Sequence, residues 1–506
     1  MRTHKLMLSA GLLAASLLTI TACKDSSLLD VQPRSSADSQ TAFTTPEGFD
    51  AAVNGIYDRF QSTALYGRDL LALSEALSDN AQFTNKSGRL VNENRNVAGA
   101  TFGNWATSYF AINQANLVLD NIGTFSFAVG DTARRNRLQG QAYFLRALLY
   151  HDLSRIYAYD PGAAVAAQDR GGVPLLLKGV IDQNSITLPA RAPVADVYKQ
   201  IYSDLQSAIA TFSRAPATTP DVSNPAVPAY GNRQAAQALF SRVALYNRDY
   251  ATVVKYATDA IAGAVKLSPN ASYVGGWRAP QNPESLFEIQ YTTPENIGVN
   301  TSLQTTYTTL VRVGDRTTTG GFGDLVPTIT SAGSLTAFIP DLEAEKSATG
   351  TVLDIRRQLY ELGTTGRGPA FIECTKFLGK NGTINLDNVP VIRVSEIYLN
   401  RAEANYFLGN TADAIADLNV IRVRCGLPAF PATVSGTPLL AEIYRQARLE
   451  FGFEGHRWFD LKRTGQPVVK AAGQGGGLAS TDFRILAPLP VNELSTNRNI
   501  RQNFGY

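Results

Sequence analysis

The chain has 506 residues; 44% are hydrophobic and 18% are charged, below the usual charged share of about 25%. Its 46 Lys and Arg nearly balance 43 Asp and Glu, for a formal net charge of +3. That balance excludes a nucleic-acid binder built on a basic stripe and a polybasic membrane anchor, while the length supports a large core and exceeds one minimal domain.

The chain opens as a leader. Arg2 and Lys5 precede an apolar run over residues 6–20, which ends in Ile20-Thr21-Ala22-Cys23. A basic start, an apolar stretch and small residues at a cleavage point make a secretory signal peptide. The run is shorter than the roughly 20 residues that span a bilayer. Thr21-Ala22 directly before a cysteine resembles a bacterial lipobox, which predicts cleavage before Cys23 and lipidation of that residue. Loss of Arg2 and Lys5 with the leader leaves a mature net charge of +1. Residues 1–22 are therefore read as signal peptide and 23–39 as a lipidated polar tether.

Helical signals begin after the tether. Thr45 is placed to cap a helix with Pro46 in its first turn, and Phe49, Val53, Ile56, Tyr57 and Phe60 keep helical spacing. Further helices are predicted over residues 104–122, 131–157 and 193–212. Residues 235–261 and 397–420 resemble each other: each reads as helix, short polar turn, helix, with small residues where two helices must approach. This is the tetratricopeptide type of hairpin, and 134–157 with 193–212 makes a third across a long insertion. Between the two similar segments, 269–388 is loop-rich, with a strand predicted over 286–291. Residues 319–323 (Thr-Gly-Gly-Phe-Gly) read as a mobile loop. A strong helix is predicted over 442–458. The expected fold is all-α, made of tetratricopeptide-like helical hairpins with a long loop-rich ligand-binding region.

Cysteine and histidine are scarce. Besides Cys23 there are only Cys374 and Cys425, which could form one bridge or stay as two buried thiols. His151 and His456 are the only histidines outside the leader, so a zinc site or a catalytic triad has little material. No cofactor or metal is expected. Glu450 and Glu454, one helical turn apart, could serve as the carboxylate pair of a glycoside hydrolase. The Arg and Lys around them lower carboxyl pKa values, which opposes a general-acid role and favours a structural ion-pair network.

The same block carries a family resemblance. Ala447-Arg448-Leu449-Glu450-Phe451-Gly452-Phe453-Glu454-Gly455-His456-Arg457-Trp458-Phe459-Asp460-Leu461-Lys462-Arg463 resembles the most recognisable stretch of the SusD/RagB family. Ile397-Tyr398-Leu399-Asn400-Arg401-Ala402-Glu403-Ala404, Asn419 to Pro428, the Leu489-Pro490 ending with Tyr506, and Gly55-Ile56-Tyr57 with Trp105, Tyr109, Ile112, Asn113 and Asn116 fit it too. The resemblance covers essentially the whole mature chain. It implies an outer-membrane lipoprotein that binds oligo- or polysaccharide, is exposed on the cell surface and delivers its ligand to a TonB-dependent transporter of the SusC type, without catalysis. Residues 40–230 and 231–506 would be its N- and C-terminal parts, packed as one unit. A scaffold that binds only a protein partner is the rival reading without sugar.

A sugar offers an apolar face and a rim of hydroxyls, so its site wants exposed aromatic rings beside polar side chains. Two regions qualify. Asp79, Asn80 and Arg89 lead towards Trp105, where the resemblance places ligand contacts. Tyr273, Trp277, Arg278 and Tyr307 decorate the middle loops, Tyr307 among threonines and therefore expected to be exposed. Core packing is the alternative for each aromatic.

Overall fold

The computed structural model describes residues 42–214 and 228–506. The leader, the tether and Cys23 lie outside the described residues. Helix α1 (Pro46–Phe60) starts as predicted: the Thr45 hydroxyl accepts from the Gly48 N–H at 3.1 Å, and Pro46 occupies the first turn, where it costs no hydrogen bond. Its Phe49, Val53, Ile56 and Phe60 are fully buried. Helix α2 (Asp69–Leu77) is buried from Leu70 to Leu77 on every side and runs through the interior. Strand β1 (Ala81–Phe83) follows.

The hairpins then build up in chain order. Helices α3 (Trp105–Ile122), α4 (Thr132–Tyr157) and α5 (Val194–Phe212) pack in sequence, α4 against both neighbours. Gly140 lets α4 and α5 approach closely: a Cβ there would lie 2.6 Å from Phe212. Helices α6 (Arg233–Tyr246) and α7 (Tyr250–Ala262) form the second hairpin, with Asn232 capping the Ala235 N–H at 2.9 Å. After the short α8 (Asn270–Gly276) come the loops and strands: β2 (Ser285–Ile289), β3 (Leu325–Pro327), β4 (Tyr360–Leu362), β5 (Ile372–Cys374) and β6 (Val389–Arg393). Three antiparallel two-stranded sheets result: β1 with β3, β2 with β6, β4 with β5. Strand β6 runs directly into α9 (Val394–Phe407), which pairs with α10 (Thr411–Arg424) as the third hairpin. Helix α9 also packs on α7 and on α11 (Thr437–Glu450), so the hairpins stack side by side. The helical reading holds, with the strand near 286–291 found as β2.

One expectation is corrected, and one open alternative is decided. The single helix over 442–458 is two: α11 stops at Glu450, and α12 (Arg457–Arg463) starts after a six-residue break. Phe453 (φ 68°) and Gly455 (φ 86°) are left-handed there, and a Cβ on Gly455 would come within 2.9 Å of the Leu70 carbonyl oxygen. The bridge between Cys374 and Cys425 does not form: both are free, buried thiols, pushed up to about 12 by burial.

The C-terminal segment is threaded among the first helices. Arg457 forks onto Asp79 (2.7 and 2.8 Å), and Lys462 donates to the carboxylate of Asp160 and the carbonyls of Arg155 and Ala158. Near the last residue, the Asn503 amide donates to the carbonyls of Tyr157 and Ala487.

Candidate ligand-binding site

The stretch 447–463 is held in place by a buried lattice of charges. Arg393 is its hub. It donates to Glu454 at 2.7 Å, to Glu284 at 2.8 Å and to Glu450 at 3.1 Å. Glu450 also receives Arg424 (2.6 Å) and pairs with Arg356 (3.5 Å), while Arg356 forks onto Asp354 and Lys376 binds Glu454 at 2.6 Å. Burial alone would push the Glu450 carboxyl up. The guanidiniums of Arg424, Arg393 and Arg356 overcome it and hold the group well below the usual carboxylate range. A carboxylate that stays ionised, with no exposed surface and three cations on it, is not a general acid that a sugar could reach. His151 is buried and His456 half-buried, and the pKa of each is held well below its usual value by desolvation and nearby cations. Among the described residues no group of His, Cys, Asp and Glu could hold a metal ion, and no helix is long and apolar enough to cross a membrane.

That lattice absorbs most of the predicted ligand contacts. Burial pushes Asp79 up, but Arg457 beside it brings the carboxyl below its ordinary value. Asn80 is fully buried and accepts from Arg448 at 2.9 Å. Tyr273 lies under Arg424, with 4.1 Å from guanidinium to ring. Trp277 lies under both Lys376 (4.9 Å) and Arg393 (5.2 Å). Trp105 is core, edge-on to Tyr157 and tilted on Tyr109. Arg278 turns inward to donate to the Thr375 hydroxyl at 2.9 Å, and burial lowers its pKa. Tyr307, expected at the surface, has 0% exposure and packs edge-on to Phe453 at 5.0 Å. The threonines around it are buried because one interior carboxylate satisfies them: Glu373 accepts from the hydroxyls of Thr308 and Thr309 and from the Thr309 N–H, at 2.7 to 3.0 Å. The expectation of exposed platforms at Trp105, Tyr273, Trp277 and Tyr307 is therefore corrected; Asp79 and Asn80 are buried as well, and Arg278 is half-buried with its guanidinium on Thr375.

Arg89, like Arg278, is only half-buried, and it leads to a candidate site that sequence reasoning passed over. Its guanidinium donates to Asp324 and to the Asn300 carbonyl, and lies 4.4 Å from the centre of the Phe322 ring. Arg367, exposed and without a carboxylate partner among the described residues, lies 4.3 Å from the same ring. Three residues before Arg89, Lys86 reaches Glu373 at 3.3 Å and sits 5.2 Å from the Phe371 ring. At the other end of this loop Arg95 covers Phe83 at 5.1 Å. Three half-buried rings, each beside a cation, thus line the surface formed by β1–β3, β4–β5 and the loop after β1. Phe322 is fixed by its backbone: its N–H and that of Gly323 both donate to the Thr305 carbonyl, at 3.0 and 2.9 Å. A Cβ on Gly321 would lie 2.1 Å from the Thr308 carbonyl oxygen, so the glycine serves close approach, not mobility. A lone aromatic among small residues was the available signal. The two small clefts near Asp387, of about 10 and 20 Å³, have room for a water molecule and are lined by none of these rings. The face is open, suited to a chain lying across it.

Comparison with known proteins agrees with this architecture. The family described as SusD matches residues 370–506, and the family described as starch-binding, associating with the outer membrane, matches residues 27–245. SusD-like protein P2 of Formosa agariphila is 24% identical over 96% of this chain and 97% of its own length. The starch-binding protein SusD of Bacteroides thetaiotaomicron is 34% identical over a shorter stretch, 24% of this chain and 22% of that protein. A solved SusD superfamily structure from Bacteroides thetaiotaomicron, 25% identical, superposes with a TM-score of 0.75 over 91% of this chain and 99% of its own.

Proposed function

The chain belongs to the SusD/RagB family, and from that premise we propose that it captures oligo- or polysaccharide at the outer membrane and hands it to a TonB-dependent, SusC-like transporter. Capture would use the Phe322 face. The observation that carries this is the row of half-buried rings with cations beside them on an open surface: the rings take a sugar's C–H face, and the N–H groups of Arg367 and Arg89 take its hydroxyls. The protein binds without hydrolysing, because the one candidate acid/base pair, Glu450 and Glu454, is locked in buried ion pairs. A lipid on Cys23 would hold it at the membrane surface, and a Cys23→Ala variant would then fail to incorporate labelled fatty acid. Low net charge favours a neutral glycan.

The test is binding of the mature chain from Lys24 to a glycan panel, by affinity electrophoresis and calorimetry. Phe322→Ala should weaken the best ligand about 2- to 10-fold, the range of one aromatic contact, at unchanged melting temperature. Unchanged affinity in Phe322→Ala would remove the site. Failure on every glycan by the folded protein would favour a scaffold that recognises only its protein partner.

A further inference from the structure

A larger cleft lies away from that face, between the turns of the stacked hairpins. It encloses about 250 Å³, more than ten times the water-sized clefts near the loops. One wall is aromatic. Tyr250, first residue of α7, stacks on Phe407, last residue of α9, with centroids 4.6 Å apart and planes 12° from parallel. Phe407 keeps 43% of its surface exposed, a large value for a phenylalanine with a stacking partner. The floor is polar and rigid: Arg463 forks onto Glu403 with bonds of 2.6 and 2.8 Å, and the Tyr444 hydroxyl donates to the same carboxylate at 3.3 Å. With the Arg463 Nε–H given to Asp460 at 2.9 Å, two guanidinium N–H groups and one carboxylate lone pair remain, an adjacent donor and acceptor of the kind that neighbouring hydroxyls require.

The rim carries one cation that lies outside the ion pairs of the floor. Arg463 is paired with both Glu403 and Asp460. Arg248 is exposed and has no ion-pair partner among the described residues. Its guanidinium lies over Gly162, where any Cβ would come within 2.3 Å of its Cζ, so its place at the rim is braced from below. Its backbone is left-handed, φ 57°. The equivalent turn between α9 and α10 meets the same demand with Gly409, φ 80°. An arginine held at a position that suits glycine, at the rim of a cleft and outside its ion pairs, calls for a reason outside the fold.

We propose that this cleft is a second binding site, separate from the Phe322 face, for one saccharide ring that carries a carboxylate. Tyr250 and Phe407 take the ring's apolar face, Glu403 and Arg463 take two neighbouring hydroxyls, and Arg248 takes the carboxylate. The inference stands on the cleft itself and does not depend on the Phe322 face.

The test uses the mature chain from Lys24 with methyl glucuronide, methyl galacturonide and their neutral parents, by saturation-transfer NMR and titration. An acidic sugar should bind about 3- to 10-fold more tightly than its neutral parent, the margin of one charge-assisted contact. Arg248→Ala should erase that margin, and Phe407→Ala should remove binding of both forms. Phe322→Ala should leave both unchanged, which separates this site from the loop face. The proposal is overturned if no sugar gives saturation transfer to the folded protein, if Arg248→Ala keeps the acid preference, or if Phe322→Ala removes the signal while Phe407→Ala keeps it.

Discussion

Replacing Glu450 by Gln tests the charge lattice directly. Glu450, Glu454, Glu284 and Asp354 face Arg393, Arg424, Arg356 and Lys376, so four carboxylates balance four cations in the interior. The amide keeps the shape and removes one negative charge, so Arg424, whose Nε and Nη1 lack hydrogen-bond partners among the described residues, keeps at its 2.6 Å contact only a neutral amide oxygen. Breaking one partner of a buried pair costs about 3–5 kcal/mol. Roughly 450 ordered residues at about 2.1 cal/mol/K each give an unfolding entropy near 0.95 kcal/mol/K, so the expected drop in melting temperature is about 3–5 °C. The pH dependence gives a second check. The Glu450 pKa is lowered in the fold, so its contribution is complete above the unfolded value near 4.5 and declines as pH falls towards the folded value. Calorimetry from pH 8 to pH 3 should therefore show a constant gap between parent and variant down to about pH 5, narrowing below it. A variant that melts within 1 °C of the parent at pH 7, or a gap that closes near pH 6, would refute the reasoning.

Glu75 has the opposite sign. Burial raises its carboxyl to about 7 although the Phe453 N–H bonds it at 2.9 Å. The unfolded chain then loses this proton between about pH 4.5 and 7 while the fold keeps it, so stability falls across that window by about 3 kcal/mol. Glu75→Gln should match the parent near pH 4.5 and exceed it at pH 8 in thermal melts; equal melting temperatures at both would contradict the assignment. Tyr307→Phe should be neutral or stabilising, since the hydroxyl has no partner among the described residues, whereas Tyr307→Ala should cost about 3–5 kcal/mol in denaturant melts. The thiols of Cys374 and Cys425 should be silent to a thiol reagent at pH 8 in the native protein, with two equivalents reacting after denaturation of the chain from Lys24.

The helices were legible because their signals are local. Thr45 with Pro46 marks a start, and small residues at helical spacing mark the close approach of α6 with α7 and of α9 with α10. The break after Glu450 was not, because Gly455 is needed for a neighbour, Leu70, that lies nearly four hundred positions away in the chain. Exposure failed for the same reason. Trp277 follows two glycines and reads as a loop residue, yet Lys376 and Arg393, a hundred residues on, close over it. Tyr307 sits in a polar run that Glu373 draws into the interior. Burial depends on which distant charges arrive, and spacing alone does not carry that. Phe322 was missed because its glycines read as mobility when they serve close contact. Arg89 stays half-exposed, because Asp324 and the Asn300 carbonyl hold its guanidinium beside the Phe322 ring.

The threading of the last residues among the first helices bears on how the chain is made. A secreted chain crosses the membrane from its N-terminus onward, and Arg457, Lys462 and Asn503 emerge last. Until they arrive, Asp79, Asp160 and the Tyr157 carbonyl have no partners from that segment, and the early helices lack part of what holds them shut. Such long-range closure makes folding slow. If the leader exports the chain as its sequence implies, slow closure would keep it loose until synthesis and export are finished, and a product shortened at its C-terminus would remain open to proteases.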